Sequence, residues 1–186
     1  MNTKKLGLAV LLGATVYTSS HAAQKQYEKN GVTEIIEDIR DNGKKVGEKH
    51  IALGKEGYSL FYRVESQDEF ERIENTVTYC YSVRGFISAS VASYIYGVLP
   101  REYEPITTFA TYEDKNADGV IDFATFASNV CGHYVATKVG GVSFLDVDGT
   151  TQTKQNAEFF DYQRQFNDIK DSLRIATIHQ LWLSKR

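Results

Sequence analysis

Residues 32–53 read VTEIIEDIRDNGKKVGEKHIAL, two apolar-rich runs joined at Asp41-Asn42-Gly43. An Asn-Gly pair between such runs is a strong hairpin signal, because both central residues of a type I′ turn need positive φ. A second turn, Gly54-Lys55-Glu56-Gly57, leads into Tyr58–Glu65, where Tyr58, Leu60, Tyr62 and Val64 fall on one side of a strand. Together these segments predict a meander of three antiparallel strands. Within it, Ile35, Ile36 and Ile39 also fit helical spacing, so Thr33–Arg40 alone is open to either period.

The same alternation continues downstream. In Thr76–Val83 (TVTYCYSV), Val77, Tyr79, Tyr81 and Val83 oppose Thr76, Thr78, Cys80 and Ser82. Ile106–Glu113, Val120–Ser128, Asn129–Lys138 and Val142–Val147 are likewise rich in strand-forming residues. Ser66 and Glu69 have capping-box spacing and predict a short helix over Gln67–Glu74. Gly85–Leu99 carries too many small residues to separate strand from buried helix. In the tail, Phe159, Tyr162, Phe166, Ile169, Leu173 and Ala176 recur at steps of 3 and 4, predicting an amphipathic helix from about Gln155 to Thr177. Ile178–Leu183 either extends that helix or forms a last strand. The fold class expected is α+β: an antiparallel sheet of several strands packed against a C-terminal amphipathic helix, with a metal loop in one hairpin.

The chain is 186 residues long with 42% hydrophobic and 24% charged residues, the size and balance of one globular domain. Met1–Lys5 is positive, Leu6–Tyr17 is apolar but too short to span a bilayer, and Ser20-His21-Ala22 puts small residues before a cut. That order is a secretory signal peptide over residues 1–22, cleaved near Ala22, leaving a single domain over 23–186 that is periplasmic or extracellular. No other segment has the length of apolar residues needed to span a membrane, so a soluble mature chain is expected. Losing Lys4 and Lys5 takes the formal charge from −3 to −5. A mildly acidic exported protein favours cations and argues against a nucleic-acid partner.

Cys80 and Cys131 are the only cysteines, and an even count in an exported chain reads first as a disulfide. Closing a loop of about 50 residues would stabilise the fold by roughly 4 kcal/mol on the chain-entropy model. The alternatives are a nucleophilic Cys131 beside His133, unpaired thiols, or a scattered zinc set of Cys80, Cys131 and His133. His50 and His179 have no His or Cys at ligand spacing and read as ordinary histidines.

The densest chemistry lies in Asp114-Lys115-Asn116-Ala117-Asp118-Gly119-Val120-Ile121-Asp122. Oxygen side chains fall at positions 1, 3, 5 and 9 (Asp114, Asn116, Asp118 and Asp122). Gly119 at position 6 permits a sharp reversal, and the Val120 carbonyl at position 7 is the next candidate ligand. Ile121 at position 8 would anchor the loop on the core. A hard cation wanting 6–8 oxygens suits this alternation, and calcium is the cofactor expected. Asp, Asn and Gly also favour turns that hold no metal.

This segment resembles the calcium loop of the EF-hand superfamily, D-x-[DN]-x-D-G-x-I-D, over residues 114–122 only. At position 12, where the family has Glu, this chain has Thr125, and the flanks read as strands rather than helices. The arrangement looks more like single calcium loops set in β-hairpins of exported bacterial proteins. Glu113, Asp146 or Asp148 would then complete the shell. Without the bidentate Glu, a Kd of roughly 10⁻⁴–10⁻³ M is expected, which makes the ion a strut rather than a switch.

No P-loop, G-x-S-x-G elbow or H-E-x-x-H motif is present. The leading expectation is an exported binding or structural module with a structural calcium loop. The alternatives are a small secreted hydrolase with structural calcium, or a module that binds protein or polysaccharide through the loop or through tyrosines such as Tyr79, Tyr81, Tyr94, Tyr96 and Tyr103.

Overall fold

The computed structural model describes residues 24–67, 71–97, 106–128, 132–137, 142–145, 151–154 and 157–186. The expected signal peptide, residues 1–22, lies outside them. Nine strands, β1 (Gln24–Lys29), β2 (Val32–Asp41), β3 (Lys44–Gly54), β4 (Gly57–Gln67), β5 (Glu71–Ser82), β6 (Phe86–Gly97), β7 (Ile106–Asp114), β8 (Phe123–Ser128) and β9 (Gly132–Thr137), form one sheet. Each pairs antiparallel with the next in chain order, so the sheet is a plain meander. β10 (Val142–Leu145) and β11 (Thr151–Lys154) pair separately. Asn42 and Gly43 turn at φ 48° and 81°, as the Asn-Gly hairpin requires, and Asn30-Gly31 repeats the device between β1 and β2.

Period-two alternation places the core. Ile35, Ile51, Leu60, Tyr79, Ala89, Tyr112 and Ala124 stand opposite one another on successive strands from β2 to β8, and none is more than 4% exposed. Two helices, α1 (Ala157–Ser172) and α2 (Ile175–Leu183), add Phe166, Ile169, Ile175, Ile178 and Trp182 to that cluster. The Phe166 ring lies 6.3 Å from that of Tyr112, and the Trp182 ring 5.5 Å from that of Tyr81. The indole N–H of Trp182 donates to the Gly54 carbonyl at 2.7 Å, satisfying its polar end.

These observations correct several expectations. The class is not α+β: the fold is largely β, and the tail forms two short helices rather than one amphipathic helix across the sheet. The helical period breaks at Arg174, which takes φ 55° and ψ 44° and redirects the chain after Ser172. Ile178–Leu183 is helical, within α2. The helix expected over Gln67–Glu74 is absent where described, because Arg72–Glu74 already pair with both β4 and β6, and Glu71 pairs with β6. There Glu74 meets Arg63 at 3.2 Å across the ladder, so strand pairing overrides a capping-box spacing. Gly85–Leu99 resolves into a strand over Phe86–Gly97, with Ile87, Ala89 and Val91 buried on the core face.

The expected Cys80–Cys131 bridge is not made by Cys80, whose thiol is free. Cys131 lies outside the described residues.

Candidate metal centre

The connection between β7 and β8 is built around one buried acid. Asp114 closes β7 on the core side, opposite Ile87, and has no exposed surface. Burying a carboxylate is costly unless hydrogen bonds replace its water. Here Asp114 Oδ1 accepts the Asp118 N–H at 3.1 Å and Oδ2 accepts the Gly119 N–H at 2.8 Å. The chain therefore curls over its own first residue. Ala117 and Gly119 make the curl with φ of 55° and 90°.

Smaller bonds brace it. Asn116 Oδ1 accepts the Asp118 N–H at 3.2 Å, and Asp118 Oδ1 accepts the Val120 N–H at 2.8 Å, both local turns that Asn and Asp side chains favour. The Asn116 amide donates to Asp118 Oδ2 at 2.9 Å. At the neck, Asp122 Oδ2 accepts the Lys115 N–H at 2.9 Å, and the Asp122 N–H donates to the Glu113 carbonyl at 2.7 Å.

Asp114, Asn116 and Asp118 thus meet in one turn, while Asp122 bridges its base. Among the described residues no three His, Cys, Asp or Glu side chains gather around one point. Asp114 instead holds two loop N–H groups, one on each oxygen, Asp118 holds the Val120 N–H and the Asn116 amide, and Asp122 holds the Lys115 N–H. Each carboxylate oxygen has two lone pairs, so one hydrogen bond on an oxygen does not by itself exhaust it as a cation ligand. The donors are all oxygens, which suits Ca²⁺ or Mg²⁺ and not zinc or copper. The Val120 side chain is 40% exposed, whereas Ile121 is fully buried and pins the loop to the core. Thr125, at the position of the missing Glu, faces the opposite side of the sheet and pairs its hydroxyl with that of Thr111. Glu113 lies on that side too, 4.0 Å from Lys115. Asp146 and Asp148 lie outside the described residues.

The buried acid is felt nearby. The Tyr79 hydroxyl has its pKa pushed well up, first by burial, then by Tyr58 and by the Asp114 carboxylate.

Sequence reasoning missed Gln163. From α1 its side chain reaches the loop twice: Oε1 accepts the Ile121 N–H at 2.9 Å, and Nε2 donates to the Gly119 carbonyl at 3.0 Å. Nε2 also lies 3.2 Å from Asn167 Oδ1, one turn along the helix. A glutamine on the polar side of a helix gives no spacing signal for such a role.

The remaining candidates sit apart from the loop. His50, on β3, is 3.5 Å from Glu48 and meets the Phe61 ring edge-on. His179 packs in α2 against Tyr81 and Trp182. Tyr79 belongs to the core, and Tyr96 lies under Arg72. Tyr103 and the side chain of His133 lie outside the described residues. Phe61, Phe86 and Phe109 are exposed on the opposite face, but the register sets Ser and Thr positions between them, so they form no continuous strip. Among the described residues no helix is long and apolar enough to cross a membrane. Comparison with protein-family models, with curated proteins and with solved structures finds no match to the chain.

Proposed function

We propose that this chain is an exported β-sheet protein whose 114–122 loop binds Ca²⁺ as a structural element, serving as a binding or structural module. The observation that carries the reading is the buried carboxylate of Asp114 holding the Asp118 and Gly119 N–H groups. That clasp brings positions 1, 3 and 5 of a D-x-N-x-D-G loop into one turn. An ion would take the remaining lone pairs of Asp114, Asn116 and Asp118, with the Val120 carbonyl and Asp122 completing the set directly or through water. At ~1 mM Ca²⁺ and a Kd of ~10⁻⁴ M, binding adds roughly 1.4 kcal/mol to the native state. Export rests on the charged, apolar and small-residue order of residues 1–22.

Titration calorimetry on the full-length mature chain tests the reading. Wild type gives a saturable Ca²⁺ isotherm, and Asp118→Ala loses it while keeping a cooperative melt. Flat isotherms for both proteins overturn it.

A further inference from the structure

We propose that ion binding in the loop and docking of the C-terminal helices are coupled through Gln163, an inference that rests on the calcium reading above. One peptide unit joins the loop to the helix. The Val120 carbonyl and the Ile121 N–H belong to the same planar, trans peptide, so they point in opposite directions. Gln163 Oε1 takes that N–H at 2.9 Å. The carbonyl at the opposite edge of that peptide, the position-7 ligand of the calcium reading, therefore points away from the Gln163 amide. Gln163 Nε2 fixes the neighbouring plane by donating to the Gly119 carbonyl at 3.0 Å. A helix side chain thus sets the orientation of a backbone ligand.

The coupling works in both directions, as binding free energies require. A cation on the Val120 carbonyl polarises the peptide and strengthens its N–H as a donor to Gln163. Undocking α1 frees the peptide to rotate and removes a pre-oriented ligand. Three residues from Gln163 along α1, Phe166 is fully buried, and α2 follows with Trp182 at 2% exposure. The strength of the loop contact is thereby passed to the aromatic cluster under both helices. Gln163 is a positioning residue here, since it acts through Val120 and Ile121.

Trp182 is the only tryptophan, which makes its fluorescence a direct report on helix docking. The experiment follows acrylamide quenching of Trp182 and hydrogen exchange over residues 157–183 in the full-length mature chain, with millimolar CaCl₂ or with chelator. Calorimetry runs in parallel on wild type, Gln163→Ala and Gln165→Ala. Gln165 serves as the control because it binds the Tyr112 hydroxyl from the same helix at 2.7 Å. Expected results are slower quenching and slower exchange with Ca²⁺ in wild type. Gln163→Ala loses that response and weakens Ca²⁺ binding about fivefold or more. Gln165→Ala loosens the helix but keeps the wild-type calcium affinity. Binding by calorimetry with no change in Trp182 or in exchange overturns the coupling and leaves the calcium reading standing. Equal loss of affinity in the two variants overturns the role of Gln163. A flat isotherm for wild type overturns the calcium reading and the coupling with it.

Discussion

Asp114 Oδ2 lies 2.8 Å from the Gly119 nitrogen, and that bond closes a turn over a carboxylate with no exposed surface. An added Cβ at Gly119 would meet nothing within 4 Å, so the site constrains backbone conformation rather than space. With φ at 90°, Gly119→Ala should cost about 1 kcal/mol from conformation alone. Asp114→Ala should cost about 1–3 kcal/mol, because it strips the Gly119 N–H of its acceptor and leaves the Asp118 N–H only Asn116 Oδ1. Denaturant melts check both values. A neutral Asp114→Ala would mean the clasp contributes nothing.

Phe166 has no exposed surface and faces Tyr112. Phe166→Ala should therefore destabilise by about 3–5 kcal/mol and move Trp182 emission toward that of a hydrated indole. Unchanged emission in a folded variant would show that α2 docks without α1.

Buried tyrosines set an alkaline limit. Burial, reinforced by Tyr81, pushes the Tyr58 hydroxyl up to about 12 from its ordinary 10.0, and burial also raises Tyr79 and Tyr112. The unfolded chain loses these protons at the lower, ordinary pKa. Stability from the protonated native form is thus fully present below pH 10 and is lost as pH rises toward 12. For Tyr58 the two-unit shift corresponds to at most about 3 kcal/mol, and to less where solvent screens the hydroxyl. Melts across this range, with tyrosinate absorbance as a second signal, should show unfolding and ionisation together. Ionisation of every tyrosine at pH 10 with no loss of structure would contradict the packing.

Cys80 stands between Ser59 and Ser88 in the ladder, and burial pushes its thiol above its ordinary pKa of 9.0. Less thiolate means slow alkylation in the native protein. In denaturant without reductant, Cys80 should label fully, as mass spectrometry would show. Cys80 that stays unlabelled until reduced would restore the disulfide.

The meander was readable because its signals are local. Asn42-Gly43 fixes a turn, and the alternation of Tyr58, Leu60, Tyr62 and Val64 fixes a face, so β2 to β4 follow from neighbouring residues alone. The α+β class was misread because a helical period over Phe159–Ala176 carries no sign of where it stops; the break at Arg174 is a backbone choice. Ser66 and Glu69 looked like a cap because the spacing is short and common, whereas Arg63 and Glu74 pair across 11 residues of sequence. The loop acids were visible as a pattern. Gln163 was not, since its partners are backbone atoms more than 40 residues away.

A crystal structure grown in millimolar CaCl₂, with anomalous scattering to identify the ion, would decide the matter. The account predicts one peak in the loop, about 2.3–2.6 Å from side-chain oxygens of Asp114, Asn116 and Asp118 and from the Val120 carbonyl. A well-ordered loop with no peak there, its carboxylates still satisfied by their own N–H groups, would contradict it.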